Sequence, residues 1–264
     1  MPISDLTTRA AFLTQTIKAA GDIARSEFLN HIPGQFELKG PQDLVTASDR
    51  KVEAFLRDAI SAAFPQDDFL GEETGMSDSA GTAGIWVVDP IDGTDNFARG
   101  IAHFCVSIAY IRDGKTQLGA IYVPMTDDLY RAQAGQGAKR NGTKMSVSGI
   151  ATPDQAAIEL GWSMRAERTD YMAVLTFLLD QGSNVRRSGS GALALAMVAD
   201  GRLDGYIELV MNAWDSLAGL LLVREAGGIT CPDPAGRDLQ TAGLVYAGNP
   251  HMALHLACEK AKAA

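Results

Sequence analysis

Asp89 and Asp92 stand three positions apart in Asp89-Pro90-Ile91-Asp92-Gly93-Thr94-Asp95-Asn96-Phe97, directly after the apolar run Ile85-Trp86-Val87-Val88. Such a run reads as a buried strand, and a Pro/Gly turn after it can aim both carboxylates at one point. Gly93 lets the backbone approach a ligand closely, and Thr94 offers both an N–H and a hydroxyl. Hard oxygen ligands beside exposed N–H groups suit Mg²⁺ together with a phosphate. Taken alone, the same residues would also make a surface turn, so the weight falls on acidic residues elsewhere. Glu72 closes a short apolar strand in Gly71-Glu72-Glu73, while Asp49 and Asp215 open helices, the latter in Trp214-Asp215-Ser216-Leu217-Ala218-Gly219. Singly, Asp49 and Asp215 could be helix N-caps and Glu72 a solvated loop charge.

The elements around these residues follow from periodicity. Leu6, Ala10, Leu13, Ile17, Ala20, Ala24 and Phe28 predict a long amphipathic helix that stops at Pro33-Gly34. A loop with Lys39-Gly40-Pro41-Gln42 leads to Asp43-Leu44-Val45-Thr46, and a second helix carries Val52, Phe55, Leu56, Ala59, Ile60 and Ala63 inward. Phe69-Leu70 is a short strand, and Gly75 to Gly84 a flexible loop. Beyond Asp89 the period changes to two. Phe104–Ile111 and Gln117–Val123 form an antiparallel pair through Asp113-Gly114, with a further strand at Leu129–Gln133. Polar, Gly-rich sequence from Gly135 to Gly149 marks a soft boundary. The remainder alternates strands near Ile158, Val185, Tyr206, Ile229 and Leu244 with helices over Asp170–Leu179, Ala192–Ala199, Trp214–Glu225 and from Pro250. This predicts layered helices and sheets in two halves, 1–149 and 150–264, forming one compact unit with a cleft between them.

Composition excludes several functions. The chain has 264 residues, 46% hydrophobic and 21% charged, which is ample for a large core without staples. A net charge of −9 with no Lys/Arg cluster argues against nucleic acid or an anionic membrane as partner. The cysteines, Cys105, Cys231 and Cys258, are scattered and odd in number, as in reduced cytoplasmic proteins. No signal peptide and no membrane span are evident, so the expected place is the cytosol.

The acidic motifs, in this order, closely resemble the inositol monophosphatase family of Mg²⁺-dependent phosphatases. The matching passages are Asp43-Leu-Val-Thr46-x-x-Asp49, Gly71-Glu72-Glu73, Asp89-Pro-Ile-Asp92-Gly-Thr94-x-Asn-Phe97, Trp214-Asp215-x-x-Ala218-Gly219 and Glu225-Ala-Gly-Gly228. The resemblance implies an α+β fold, a layered α-β-α-β-α sandwich of the inositol monophosphatase and fructose-1,6-bisphosphatase type. It implies that Glu72, Asp89 and the Ile91 carbonyl hold one Mg²⁺, that Asp89, Asp92 and Asp215 hold a second, and that a third, weaker ion sits near Glu72. It further implies that Asp49 and Thr94 orient a metal-activated water, and that the N–H groups of Gly93 and Thr94 cradle the phosphate. Li⁺ is then an expected inhibitor and a homodimer the expected assembly, the apolar strand Phe104–Ile111 needing cover. The chemistry agrees, since two divalent ions can generate the nucleophile and neutralise the transferring phosphate.

For the alcohol part of the ester, Glu208 matches the family's cyclitol-binding Glu, and Ser190 and Gly191 fall where the family places residues beside the ring. Trp162 stands where many members have a small Ser; its indole would narrow the pocket or stack on a flat substrate. These features rank myo-inositol 1-phosphate and related polyol phosphates first, histidinol phosphate second, and nucleotide or sugar bisphosphates third. A 3′(2′),5′-bisphosphate nucleotidase is thus an alternative on the same scaffold. A degenerate binding subunit would have lost a ligand or the Thr94 hydroxyl, and none is lost. Other chemistries fit less well. Asp89-x-x-Asp92 is one residue too long for the D-x-D of aspartyl-phosphate enzymes, there is no Walker A sequence, and Ser188-Gly189-Ser190-Gly191 does not fit G-x-S-x-G. His251 and His255, at i and i+4 on an expected helix, lack a third zinc ligand and read as packing or surface residues. Cys105 reads as core, His103 as a structural residue or one lining the cleft, and Arg186-Arg187 as a phosphate attractor or a dimer surface.

Overall fold

The computed structural model describes residues 3–32, 34, 37–40, 43–77, 84–252 and 254–263. Pro33 of the expected helix stop, Pro41 and Gln42, and residues 78–83 of the Gly75–Gly84 loop lie outside them. Helices α1 (Ile3–Asn30) and α2 (Ala47–Ala63) bury Leu13, Ile17, Ala20, Ala24 and Val52, Leu56, Ile60 at three- and four-residue spacing. Between them, β1 (Glu37–Gly40) and β2 (Asp43–Val45) make a small antiparallel ribbon. The larger sheet contains β3 (Asp68–Gly71), β4 (Gly75–Met76), β5 (Ile85–Asp92), β6 (Cys105–Arg112), β7 (Lys115–Val123), β8 (Asp128–Gln133), β9 (Ala138–Arg140) and β10 (Thr143–Lys144). Its order is β10-β9-β8-β7-β6-β5-β3-β4, antiparallel except where β3 runs parallel to β5. A five-residue helix, α3 (Thr94–Ala98), follows β5.

In the second part β11 (Ala157–Leu160), α4 (Arg168–Asp180), β12 (Asn184–Arg186), α5 (Gly191–Ala199), β13 (Gly205–Met211), α6 (Ala213–Glu225), β14 (Ile229–Thr230), β15 (Gly243–Gly248) and α7 (Leu254–Ala263) follow in turn. The smaller sheet has the order β12-β11-β13-β15-β14.

Strand alternation sorts the side chains into layers. Trp86, Val88, Ile108 and Tyr110 face α1 and α2, whereas Val87, Ala109, Ile121 and Val123 face α5 and α6. Those two helices meet Tyr206, Val245 and Ala247 of the smaller sheet on their other side. Ile158, Leu160 and Ile207 point outward to Val174 and Leu178 of α4 and Ala257 of α7. The result is the layered α-β-α-β-α sandwich implied by the resemblance. It also explains α5, whose sequence GALALAMVA is apolar all round because a sheet covers it on each side.

Three expectations need correction. β6 is buried from Cys105 to Ile111, covered by helices of its own chain, so it requires no partner to cover it. The stretch 135–149 is not only a boundary loop: Asn141 and Gly142, at φ 48° and 84°, make a tight turn joining β9 to β10, as Asp113 and Gly114 (φ 52° and 65°) join β6 to β7. His251 lies in a turn before α7 begins at Leu254, so it does not share a helical face with His255. Among the described residues no helix is long and apolar enough to cross a membrane.

Candidate active site

In a regular strand, residues three apart lie on opposite faces. Asp89 and Asp92 are both inside β5, yet their carboxylates converge. The cause is a bulge: Asp89 pairs with Ser107 and Asp92 with Cys105, so Pro90 and Ile91 together oppose one residue. Pro90 brings this about, because it cannot donate to the ladder and is confined to such irregular places. Convergence was expected from a tight turn; the strand achieves it before the turn begins. Gly93 then adopts φ 98°, where a Cβ would stand 3.0 Å from the His103 carbonyl oxygen, and turns the chain into α3.

Asp215 arrives from the first turn of α6, and ligand atoms of Asp89, Asp92 and Asp215 all lie within 4.8 Å of one another. An octahedral ion with bonds of about 2.1 Å spans about 4.2 Å between opposite ligands, so little contraction closes this set on Mg²⁺. Cys105 Sγ lies 3.6 Å from Asp92 Oδ2, but burial and the neighbouring Asp92 and Asp89 push its thiol well above the ordinary range. It stays protonated and does not make the site a soft one. The donor set fits Mg²⁺.

Helix N-termini hold the carboxylates in place. Asp49 and Asp215 are not N-caps: each is the third helical residue of a capping box, reaching back to Thr46 on α2 and Asn212 on α6. Asp49 Oδ2 accepts from the Thr46 N–H (2.8 Å) and hydroxyl (2.6 Å), and Asp215 Oδ2 from the Asn212 N–H (3.3 Å). Asp92 Oδ2 accepts from the Ser190 hydroxyl and the Ala192 N–H (2.8 Å) at the start of α5. Asp89 Oδ1 accepts from the Ile91 N–H at 2.9 Å. Three helix dipoles therefore point their positive ends at the acidic cluster.

The cluster remains electrostatically strained. Asp89 is pushed well above the ordinary carboxylate range, by burial first and then by Glu72, Asp215 and Asp92. Burial raises Asp92, opposed by the bonds from Ser190, Leu193 and Ala192. Asp215 is pushed up to about 6 by burial and then by Asp92. Asp49 is raised mainly by burial, against the bonds from Thr46. A divalent cation among these groups would invert that logic and hold all of them ionised.

Around the cluster, the Thr94 hydroxyl lies 3.1 Å from Asp49 Oδ1 and 2.9 Å from the Ile91 carbonyl oxygen. Parallel pairing of Gly71 with Val88 sets Glu72 next to Asp89, consistent with its leading charge effect there. Glu208, half-buried on β13, accepts from the Tyr206 hydroxyl and is pushed up to about 7, by burial first and then by Asp215 and Asp92. Gly191 packs against Tyr206 and Met211, where a Cβ would stand 2.6 Å from each. Trp162 is not drawn into the cluster: its ring packs edge-on to Tyr171 of α4 at 4.9 Å. Arg186 and Arg187 are exposed. Two residues were not anticipated. Arg165 bonds Asn212 at 2.7 Å, and its charge lowers the pKa of both Asp215 and Glu208; nothing in its sequence context marks it. Asn96 donates to the carbonyls of His103 (2.8 Å) and Ser188 (2.9 Å), tying α3 to the segment before α5; it lay in plain view in the Asp89–Phe97 motif.

The model of the inositol monophosphatase family matches residues 5–263. The chain belongs to that family. Its sequence is 40% identical over 246 residues to an inositol-1-monophosphatase of Mesorhizobium japonicum, covering 91% of this chain and 92% of the relative. It is 36% identical over 253 residues to the Nus factor SuhB of Escherichia coli, covering 95% and 92%. The crystal structure of the suhB protein of Bartonella henselae, 35% identical, superposes with a TM-score of 0.85 over 96% of both chains. The protein is a phosphomonoesterase of a Mg²⁺-dependent family.

Proposed function

We propose that this phosphatase hydrolyses a small polyol phosphate, with myo-inositol 1-phosphate first, through attack by water and without a phosphorylated enzyme. The observation that carries this reading is the convergence of Asp89, Asp92 and Asp215 beside the linked pair Thr94–Asp49. Glu72, Asp89 and the Ile91 carbonyl would hold one Mg²⁺, Asp89, Asp92 and Asp215 a second, and a third would lie near Glu72. When bound, Mg²⁺ supplies neutralisation of the phosphate and a lowered pKa for water. Asp49 draws the Thr94 proton, leaving the Thr94 oxygen to accept from the attacking water. The N–H groups of Gly93 and Thr94 face the phosphate oxygens. Glu208 receives the hydroxyls of the alcohol, with Ser190 and Gly191 beside it and Trp162 at the pocket's outer wall.

The division at 149/150 is then functional, one half supplying Glu72, Asp89 and Asp92 and the other Asp215 and Glu208. Mixed names among the relatives do not change this ranking, because a net charge of −9 offers nucleic acid little attraction. We place the protein in the cytosol.

Phosphate release across inositol 1-phosphate, histidinol phosphate and 3′-phosphoadenosine 5′-phosphate tests the reading. EDTA should abolish it, Mg²⁺ should restore it, and Ca²⁺ and Li⁺ should inhibit. Full turnover in chelator would sink the metal roles, and preference for either other ester would displace inositol phosphate. Assembly as a homodimer is part of the proposal, and light scattering at micromolar concentration showing only monomer would remove it.

A further inference from the structure

Glu53 lies one turn after Asp49 on α2, and the two are equally shut off, at 1% and 0% exposure. A carboxylate buried so deeply must find donors. Glu53 finds them in the main chain: Oε2 accepts the Glu73 N–H at 2.8 Å and Oε1 the Thr74 N–H at 2.9 Å. Those are the two residues directly after Glu72. The carboxylate also occupies the room Gly71 leaves, where a Cβ would stand 2.5 Å from its Cδ. On the other side, the Glu72 N–H reaches the Val88 carbonyl at 3.3 Å, next to Asp89. The backbone of Glu72 is thus fixed by β5 and by Glu53 together.

We propose that Glu53 is a positioning residue that sets the Mg²⁺ affinity of the site by locking the Glu72–Thr74 turn against Asp89. One helix then presents two carboxylates to two separate segments: Asp49 to Thr94 at the start of α3, and Glu53 to the turn carrying Glu72. A turn held this way has less freedom to lose when its carboxylate meets a cation. The proposal rests on the reading of the site as a Mg²⁺ phosphatase.

The test measures Mg²⁺ binding by calorimetry, without substrate, on wild type, Glu53→Gln and Gly71→Ala. The amide of Glu53→Gln keeps the size but sets an NH₂ against one of the two backbone N–H groups. Gly71→Ala keeps the Glu53 charge and pushes its carboxylate aside. Each should weaken Mg²⁺ binding about tenfold or more, the scale of losing an outer-shell support. The Mg²⁺ concentration for half-maximal turnover should rise in parallel. Unchanged affinity in folded variants, even with a lowered Tm, would overturn the proposal and leave Glu53 a purely structural residue. Wild-type protein that binds no Mg²⁺ would overturn the reading of the site and this proposal with it. Should both variants fail to fold, hydrogen exchange in metal-free wild type decides. Slow exchange at the Glu73 and Thr74 amides supports the lock, and fast exchange refutes it.

Discussion

Thr94 has one hydroxyl proton and two acceptors, Asp49 Oδ1 at 3.1 Å and the Ile91 carbonyl at 2.9 Å. Given to Asp49, it leaves the carbonyl oxygen open to a cation and the Thr94 lone pairs open to water. Thr94→Ala deletes that arrangement without touching the carboxylate cluster. Its kcat should fall about 10²-fold or more, the scale of a positioned proton-handling group, while Tm moves little. Single turnover in ¹⁸O-water should label phosphate and leave the alcohol unlabelled; a trapped phosphoaspartate would defeat direct attack. Glu208 governs a different observable. Its folded pKa of about 7 lies above the 4.5 of the free side chain, so the folded chain holds the proton more tightly. That contribution to stability is full below about pH 4.5 and lost as pH rises through about 7. Asp215, pushed from 3.8 to about 6, adds the same sign over a lower window. Metal-free protein should therefore melt lower at pH 8 than at pH 5. Glu208→Gln should flatten the upper part of the decline; an unchanged slope would remove Glu208 from the explanation.

At the scale of elements, what the sequence made legible was periodicity and order. The stripe Leu13, Ile17, Ala20, Ala24 and the alternation through β6 and β7 are properties of neighbouring residues, so α1 and the Asp113-Gly114 hairpin could be read directly. The acidic candidates, Asp89, Asp92 and Asp215 among them, stand out because motif spacing survives without knowing how the chain folds back. Geometry that depends on partners was not. The bulge at Pro90–Ile91 exists only in register with β6, so the sequence alone suggests a turn where a strand continues. The sequence marks Asp49 and Asp215 as helix openings, but their place at the third helical position appears only once Thr46 and Asn212 adopt extended backbone as caps. Glu53 sits in the same buried stripe as Val52, Leu56 and Ile60, a mismatch of charge and surroundings that was a usable signal. Its two backbone partners, 20 and 21 residues away, were not.

Across the whole molecule, the site draws on every layer except the outermost α4–α7 pair. α2 brings Asp49, the larger sheet brings Asp89 and Asp92, α5 and α6 bring the N–H groups and Asp215, and β13 brings Glu208. A cation held by Asp89, Asp92 and Asp215 would bridge the larger sheet to the central helices, and it could not be retained after global unfolding. Mg²⁺ at about 100 times its Kd should therefore add about 2.7 kcal/mol to folding. For a chain of this size that raises Tm by roughly 5–10 °C. Asp215→Asn separates the two sides of the balance. Without metal it removes one of three mutually repelling carboxylates, so the variant should melt at or above wild type. With saturating Mg²⁺ it should show little of the wild-type increase. If Asp215→Asn were instead destabilised without metal and still stabilised by Mg²⁺, Asp215 would be acting through its cap on α6, and the cation would belong to the Glu72 side of the site.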